Sequence, residues 1–264
     1  MDIVVCIKQV FDPEISASQF RIDPVKKRQV GEGIALVISV YDEHALEVAL
    51  KLKEGVGGRV MALTLGEPTA TQALRKALAM GADEAALVSD PKLLNTDAPG
   101  VAAILASAIQ KIGRYDLVLC GCESADWGHK AVGPLLAEEL EIPCVTFASR
   151  IEAKGDKIVL RKVVEDGYEL IESPLPVLAT ITSDETNIPR YPKVRDIMLA
   201  AKKTIQTWTA TDLGLDLSKV EAAGIELKNL YIPVRESKGE IVEGETLEEM
   251  AERLALRLRE LKVI

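Results

Sequence analysis

Aromatic side chains are scarce in this chain. Phe, Trp and Tyr make up 4% of its 264 residues, so a core has to be built from Ala, Val, Leu and Ile. Cysteine is scarce too. Cys6, Cys120, Cys122 and Cys144 are too few to staple a chain of this length, so we read them as reduced thiols. Basic residues are outnumbered: a net charge of −9 leaves no footprint for nucleic acid or an anionic membrane surface. No apolar run reaches the ~18 residues of a membrane helix. Met1-Asp2-Ile3 leads straight into a strand-like run with no basic, apolar or cleavage region, so we expect a cytoplasmic protein without membrane insertion. Two nucleotide signatures are also missing. There is no G-x-x-x-x-G-K-[ST], and no G-x-G-x-x-G follows a strand, which excludes a P-loop and the usual dinucleotide fingerprint.

What is present is alternation. Ile3 to Ile7 is a short β-rich apolar run, of the kind expected when both faces of a parallel sheet are covered. After a loop through residue 42, H-A-L-E-V-A-L-K-L-K-E repeats apolar residues at helical spacing and stops at Gly55. Arg59 to Leu65 reads as a strand, A-T-Q-A-L-R-K-A-L-A-M as a helix ended by Gly81, and E-A-A-L-V-S as a strand. Residues 98–112 read as a helix, Tyr115 to Cys120 as a strand, and residues from Pro134 as a helix before a strand at Cys144 to Phe147. Strands separated by helices of this length predict an α/β fold with one mostly parallel, doubly wound sheet. The turn signals K-G-D and E-D-G between residues 151 and 173 predict an added antiparallel hairpin, and P-L-P-V-L-A-T-I-T one more buried strand. Residues 183–204 read as a polar loop leading into a short helix. We place a domain boundary there, with residues 205–264 as a C-terminal arm that ends in a helix. The arm packs on another surface or folds back on its own sheet.

In open parallel sheets ligands bind beyond the carboxyl ends of the strands, where strand order reverses. Loops 8–12, 39–42, 65–69 and 121–133 leave such ends. The last belongs to C-G-C-E-S-A-D-W-G-H-K-A-V-G-P (120–134), which holds two cysteines, two acids, a tryptophan, a histidine and three glycines. If the first and fourth strands are neighbours, Cys6 and Cys120 end side by side. Gly128 and Gly133 would allow close backbone approach, and Val132-Gly133-Pro134 opens a helix whose free amides suit a phosphate. An ordinary turn without a ligand is the plainer alternative. A zinc site from Cys6, Cys120, Cys122 and His129 lacks a C-x-x-C pair. A nucleophile built on Cys122 and His129 has no orienting partner beyond Asp126. Binding is better supported than side-chain catalysis, and no metal is expected. His44, at a helix start, reads as a surface or capping residue.

Several stretches in unbroken order carry a resemblance. They are V-V-C-I-K-Q-V, A-L-A-M-G-A-D-E-A, Y-D-L-V-L-C-G, V-G-P-L-L-A-E, E-D-G-Y-E with P-L-P, and I-P-R-Y-P-K-V-R-D-I-M-L-A-A-K-K. From residue 1 to about 217 the chain resembles the β (small) subunit of electron transfer flavoprotein. The resemblance implies an adenine-nucleotide α-hydrolase-like fold and a heterodimer with a larger α subunit. That subunit carries the redox FAD, while the β subunit holds an adenine nucleotide. In most members this is AMP; in electron-bifurcating members, which oxidise NADH, it is a second FAD. Carried over by position, the nucleotide-contacting residues are Cys6, Lys8, Ser39, Tyr41, Asp42, Leu65, Gly66, Ser124, Asp126, Trp127, Gly128, His129, Lys130, Ala131, Val132 and Gly133. The chain departs from the family in the second loop, which usually carries Asn-Pro and here reads Ser39-Val40-Tyr41-Asp42. In the D-G-D-T-A-Q-V-G-P stretch of bifurcating members, Trp127 replaces a glycine, and His129 and Ala131 stand at the Thr and Gln positions. The resemblance also implies docking on a partner dehydrogenase and an acceptor oxidoreductase through residues 190–203. There Val194 takes the usual leucine place beside Lys193 and Arg195, with Ile197 and Met198 following. An electron carrier subunit, with AMP and one FAD per heterodimer, is the expectation. A stand-alone nucleotide-binding sensor is its rival.

Overall fold

The computed structural model describes residues 1–264 except 17, 32, 95, 156, 218, 219, 221–224, 226 and 234–238. The strands are β1 (Asp2–Cys6), β2 (Gln9–Phe11), β3 (Arg21–Asp23), β4 (Arg28–Val30), β5 (Leu36–Ile38), β6 (Arg59–Leu65), β7 (Glu84–Val88), β8 (Leu117–Gly121), β9 (Cys144–Lys154), β10 (Lys157–Val164), β11 (Gly167–Pro174), β12 (Val177–Ile181) and β13 (Gln206–Trp208). The helices are α1 (Val40–Val56), α2 (Thr71–Met80), α3 (Ala98–Ile112), α4 (Val132–Glu139), α5 (Val194–Lys202) and α6 (Leu247–Glu260). Among the described residues, no helix is long and apolar enough to cross a membrane.

A nine-stranded sheet runs β11-β10-β9-β12-β8-β1-β6-β7-β13. From β12 to β13 every neighbouring pair is parallel, as both faces of the strands require once helices cover them. The period of two in β1 explains the layers. Ile3 and Val5 point into one apolar cluster with Leu46, Ala49, Leu74 and Ala77 of α1 and α2. Val4 and Cys6 point into the opposite cluster with Ile104, Leu105 and Ile109 of α3 and Leu136 of α4. The fold is therefore doubly wound. The expected antiparallel addition is present: β9 pairs parallel with β12, then turns antiparallel onto β10, which pairs with β11.

Three expectations are corrected. The loop through residue 42 contains four short strands, of which β2 and β5 pair antiparallel, and α1 starts at Val40 rather than His44. The proposed 39–42 loop is thus the cap and first turn of a helix. The boundary at residue 204 also moves. Gln206 to Trp208 adds a ninth strand beside β7, and Trp208, Ala210 and Val220 are buried in the α3 and α4 cluster. The chain divides into one unit of Met1–Arg21 with Gln29–Lys228 and another of Ile22–Arg28 with Asn229–Ile264. The expected arm shrinks accordingly. Within the second unit, the Thr246 side chain caps α6 by accepting from Glu249 N at 3.2 Å. None of the residues of α6 is buried, and Leu247, Leu254 and Leu256 are exposed.

Candidate functional site

The chain leaves β1 toward β6 and β7 on one side, then returns to β8 on the other. The switch point therefore lies between β1 and β8. Their register pairs Val5 with Leu119, so Cys6 and Cys120 do end side by side. Asp42, in the first turn of α1, bridges the two strand ends. Its Oδ2 accepts from Lys8 N at 2.9 Å and its Oδ1 from Gly121 N at 2.7 Å. Burial pushes the Asp42 carboxyl up to about 7, although both amide bonds and the Lys8 charge pull the other way. With each oxygen accepting from a backbone amide, this side chain buttresses the two strand ends. The Cys6 thiol is also turned into the core, and burial followed by the Asp42 charge pushes it up to about 12.

Ser39 ties the second loop to the fourth. Its amide donates to Lys8 O at 2.8 Å, and its buried hydroxyl accepts from Ala125 N at 3.1 Å. Lys8 Nζ in turn donates to both Asp126 oxygens, at 2.8 and 2.6 Å, linking the first loop to the fourth across the crevice. The 120–134 segment then folds on itself: Gly128 N donates to Ser124 O at 2.9 Å, with Gly128 at φ 61° and Lys130 at φ 57°. Glycine suits position 128 because it enters that region without the cost an L side chain carries, a cost Lys130 bears two residues on. Trp127 is 42% exposed, and its ring lies 5.5 Å from that of His129. Lys130 sits 3.5 Å from Glu123 and over the Phe147 ring. Helix α4 begins behind Ala131 with no side-chain cap, so its first amides are left open. On the third loop, half-buried Leu65 and Gly66 end β6, and Gly66 N donates to Val88 O at 3.0 Å.

Two glycines act by packing. A Cβ on Gly133 would stand 2.4 Å from Thr180 Cγ2 and 3.0 Å from Cys120 Sγ. Gly133 thus seats α4 against the sheet. Gly133→Val is expected to lower stability by about 1–3 kcal/mol through overpacking. An unchanged urea midpoint would refute that. Gly121, absent from the sequence-derived set, is similar: a Cβ there would meet Asp42 Oδ1 and Tyr41 Cβ at 2.7 Å. Its sequence signal was a glycine at the last position of a buried strand.

The rival chemistries find no support. Among the described residues no group of three His, Cys, Asp or Glu is arranged to hold a metal ion. The Cys122 thiol is pushed up by burial and by Glu123, the opposite of an activated nucleophile, while the His129 ring lies tilted beside that of Trp127.

The segment carrying the expected docking residues is held from below. His44 Nδ1 lies 2.9 Å from both the carbonyl and the side-chain oxygen of Asn187, two acceptors that fix the proton on Nδ1. His44 is therefore a half-buried tether, not a cap. Asn187 is itself buried and donates to Ser149 O and Thr182 O. Lys51 Nζ donates to Thr186 O at 2.6 Å. Arg190 forks onto buried Glu47, with Nε to Oε2 at 2.8 Å and Nη2 to Oε1 at 2.9 Å, and also pairs with Glu54. Arg75 donates to the carbonyls of Ala200 and Lys203 at the end of α5. On this frame α5 buries only Ala200 and turns Val194, Ile197, Met198 and Leu199 outward, with Tyr191 95% exposed before it. Lys193 and Arg195 flank Val194, as the sequence predicts.

The electron transfer flavoprotein domain matches residues 30–213. A protein named electron transfer flavoprotein subunit beta from Thermoanaerobacterium thermosaccharolyticum is 41% identical over 263 residues, covering 97% of this chain and 99% of the relative. Its namesake from Clostridium acetobutylicum is 40% identical, covering 91% of this chain and 90% of the relative. Subunit CarD of the caffeyl-CoA reductase-Etf complex from Acetobacterium woodii is 37% identical over the full length of both chains. The chain belongs to the electron transfer flavoprotein family, among its β subunits.

Proposed function

We propose that this chain pairs with a larger α subunit and holds an adenine nucleotide at the β1–β8 switch point. In the same proposal it docks redox partners through α5, so that electrons pass between a dehydrogenase and an acceptor oxidoreductase. When bound, FAD supplies the one- and two-electron chemistry; we assign it mainly to the α subunit. Residues 229–264, with the uncovered apolar side chains of α6, are our candidate for the arm that packs on that subunit.

One observation carries the nucleotide reading: three of the four loops selected from the sequence, the first, second and fourth, are tied together at the β1–β8 switch point through Ser39, Asp42, Lys8 and Asp126. The residues suit a phosphate. The first amides of α4 are uncapped, and Lys8 and Lys130 lie on the adjoining loops, each paired with a carboxylate that an anion would displace. Ser39, Lys8, Leu65, Gly66 and residues 124–133 would hold the nucleotide. AMP is our first reading. The exposed Trp127 ring favours a second, FAD in the same pocket, because an open indole face can stack on a flavin.

Denaturing the purified heterodimer and counting released nucleotides tests this directly. We expect one FAD and one AMP. Two FAD without AMP would replace the first reading by the second. A colourless chain that needs no partner would favour the sensor instead.

A further inference from the structure

We propose that α1 couples the nucleotide crevice to the docking segment, so that nucleotide binding at the switch point holds residues 186–202 in place for the partner. The inference rests on the nucleotide reading above. It comes from the distribution of bonds along one helix. At its start, Ser39 and Asp42 bond the first and fourth loops of the crevice, at Lys8, Gly121 and Ala125. Farther along, His44, Glu47, Lys51 and Glu54 follow each other at three- and four-residue spacing, which lines them up as a single ridge. All four bond residues 186–190. Residues 186–190 are the stem from which Tyr191 and α5 project.

The ridge is not an ordinary solvated helix face. Glu47 is 2% exposed, and both its oxygens are taken by Arg190. Asn187 is 1% exposed, and its amide donates twice while its side-chain oxygen accepts from Asp184 N at 2.8 Å and from His44. A stem that takes partners from α1 at Thr186 O, Asn187 and Arg190 loses those partners if the helix shifts or frays. The crevice bonds at Ser39 and Asp42 help to hold the helix start, beside the Glu43–Lys76 ion pair and the buried Ala45 and Leu46. A ligand that bridges the first and fourth loops stabilises that start, and through the ridge the stem. By reciprocity, a partner seated on α5 tightens nucleotide binding by the same factor. Glu47 and His44 are positioning residues in this arrangement and do not face the crevice.

The test is hydrogen exchange on the intact heterodimer. The complex is stripped of nucleotide with charcoal and measured alone, with AMP, and with FAD, bound nucleotide being quantified in each sample. Exchange across 186–202 is expected to slow about 5-fold or more on binding, the lower end of ordinary coupling between sites. The hairpin of Lys157–Pro174 should not change. In Glu47→Gln, exchange across 186–202 is expected to be fast with or without nucleotide, and nucleotide should dissociate faster. His44→Ala gives a second, smaller cut in the same ridge. Equal exchange with and without nucleotide, in samples shown to contain it, overturns the coupling and leaves the nucleotide reading intact. Absence of bound AMP and FAD at millimolar concentration overturns the nucleotide reading, and the coupling with it.

Discussion

Asp42→Ala is expected to cost about 2–6 kcal/mol of stability, because it strands two buried amides, Lys8 N and Gly121 N, at about 1–3 kcal/mol each. Nucleotide content should fall with it, since the ends of β1 and β8 are no longer bridged. Asp42→Asn separates the charge from the hydrogen bonds. The folded carboxyl stands at about 7 against 3.8 unfolded. That difference corresponds to about 4 kcal/mol, fully present below the unfolded value and lost as pH rises through about 7. Asparagine has no such slope. It keeps one acceptor and turns an NH2 group toward the other amide, a penalty of about 1–3 kcal/mol. The two opposing effects predict a crossover. Wild type and Asp42→Asn should be near parity at pH 5, with the asparagine variant more stable by roughly 1–3 kcal/mol at pH 8. Urea unfolding at the two pH values decides it. A gap that stays constant would mean that Asp42 does not titrate in this range.

The second large effect concerns the outer face of α5. If α5 docks a dehydrogenase as proposed, Val194→Asp with Ile197→Asp is expected to slow reduction by it about 100-fold or more, the size expected when two apolar anchors of about 2 kcal/mol each are replaced by charge. Both side chains are at least 50% exposed, so folding should be nearly unaffected. The sign of the local charge supports the same face. Lys193 and Arg195 sit here on a chain of net charge −9, which suits an acidic partner surface. Stopped-flow reduction at two ionic strengths would read both contributions. A partner rate unchanged in the double variant would move docking elsewhere, with the exposed Tyr168 and Leu170 of β11 the next surface to test.

By itself the sequence determined the parallel sheet and where its switch point would fall. Buried parallel strands are read from a short local signal, continuous apolar residues between glycine and proline punctuation, and the strands of the parallel sheet before residue 182 were legible in this way. The crevice followed from topology, since any doubly wound sheet places its first and fourth loops together once β1 and β8 are neighbours. The family resemblance then supplied the residues of those loops. Only the tertiary structure decided what several of them do. Asp42 looks like an ordinary acidic residue in the first turn of a helix, yet its partners lie 34 and 79 positions away. His44, Glu47, Lys51 and Glu54 form a polar stripe that in sequence matches a solvated face; their partners are 135 to 143 residues distant. Gln206 to Trp208 is too short and too polar to show a strand period, and it pairs because β7 offered an open edge. Gly121 and Gly133 matter through atoms of other strands and helices. Local patterns specify which face of an element is apolar, but the partner of a buried polar group is set by whatever the fold brings opposite it.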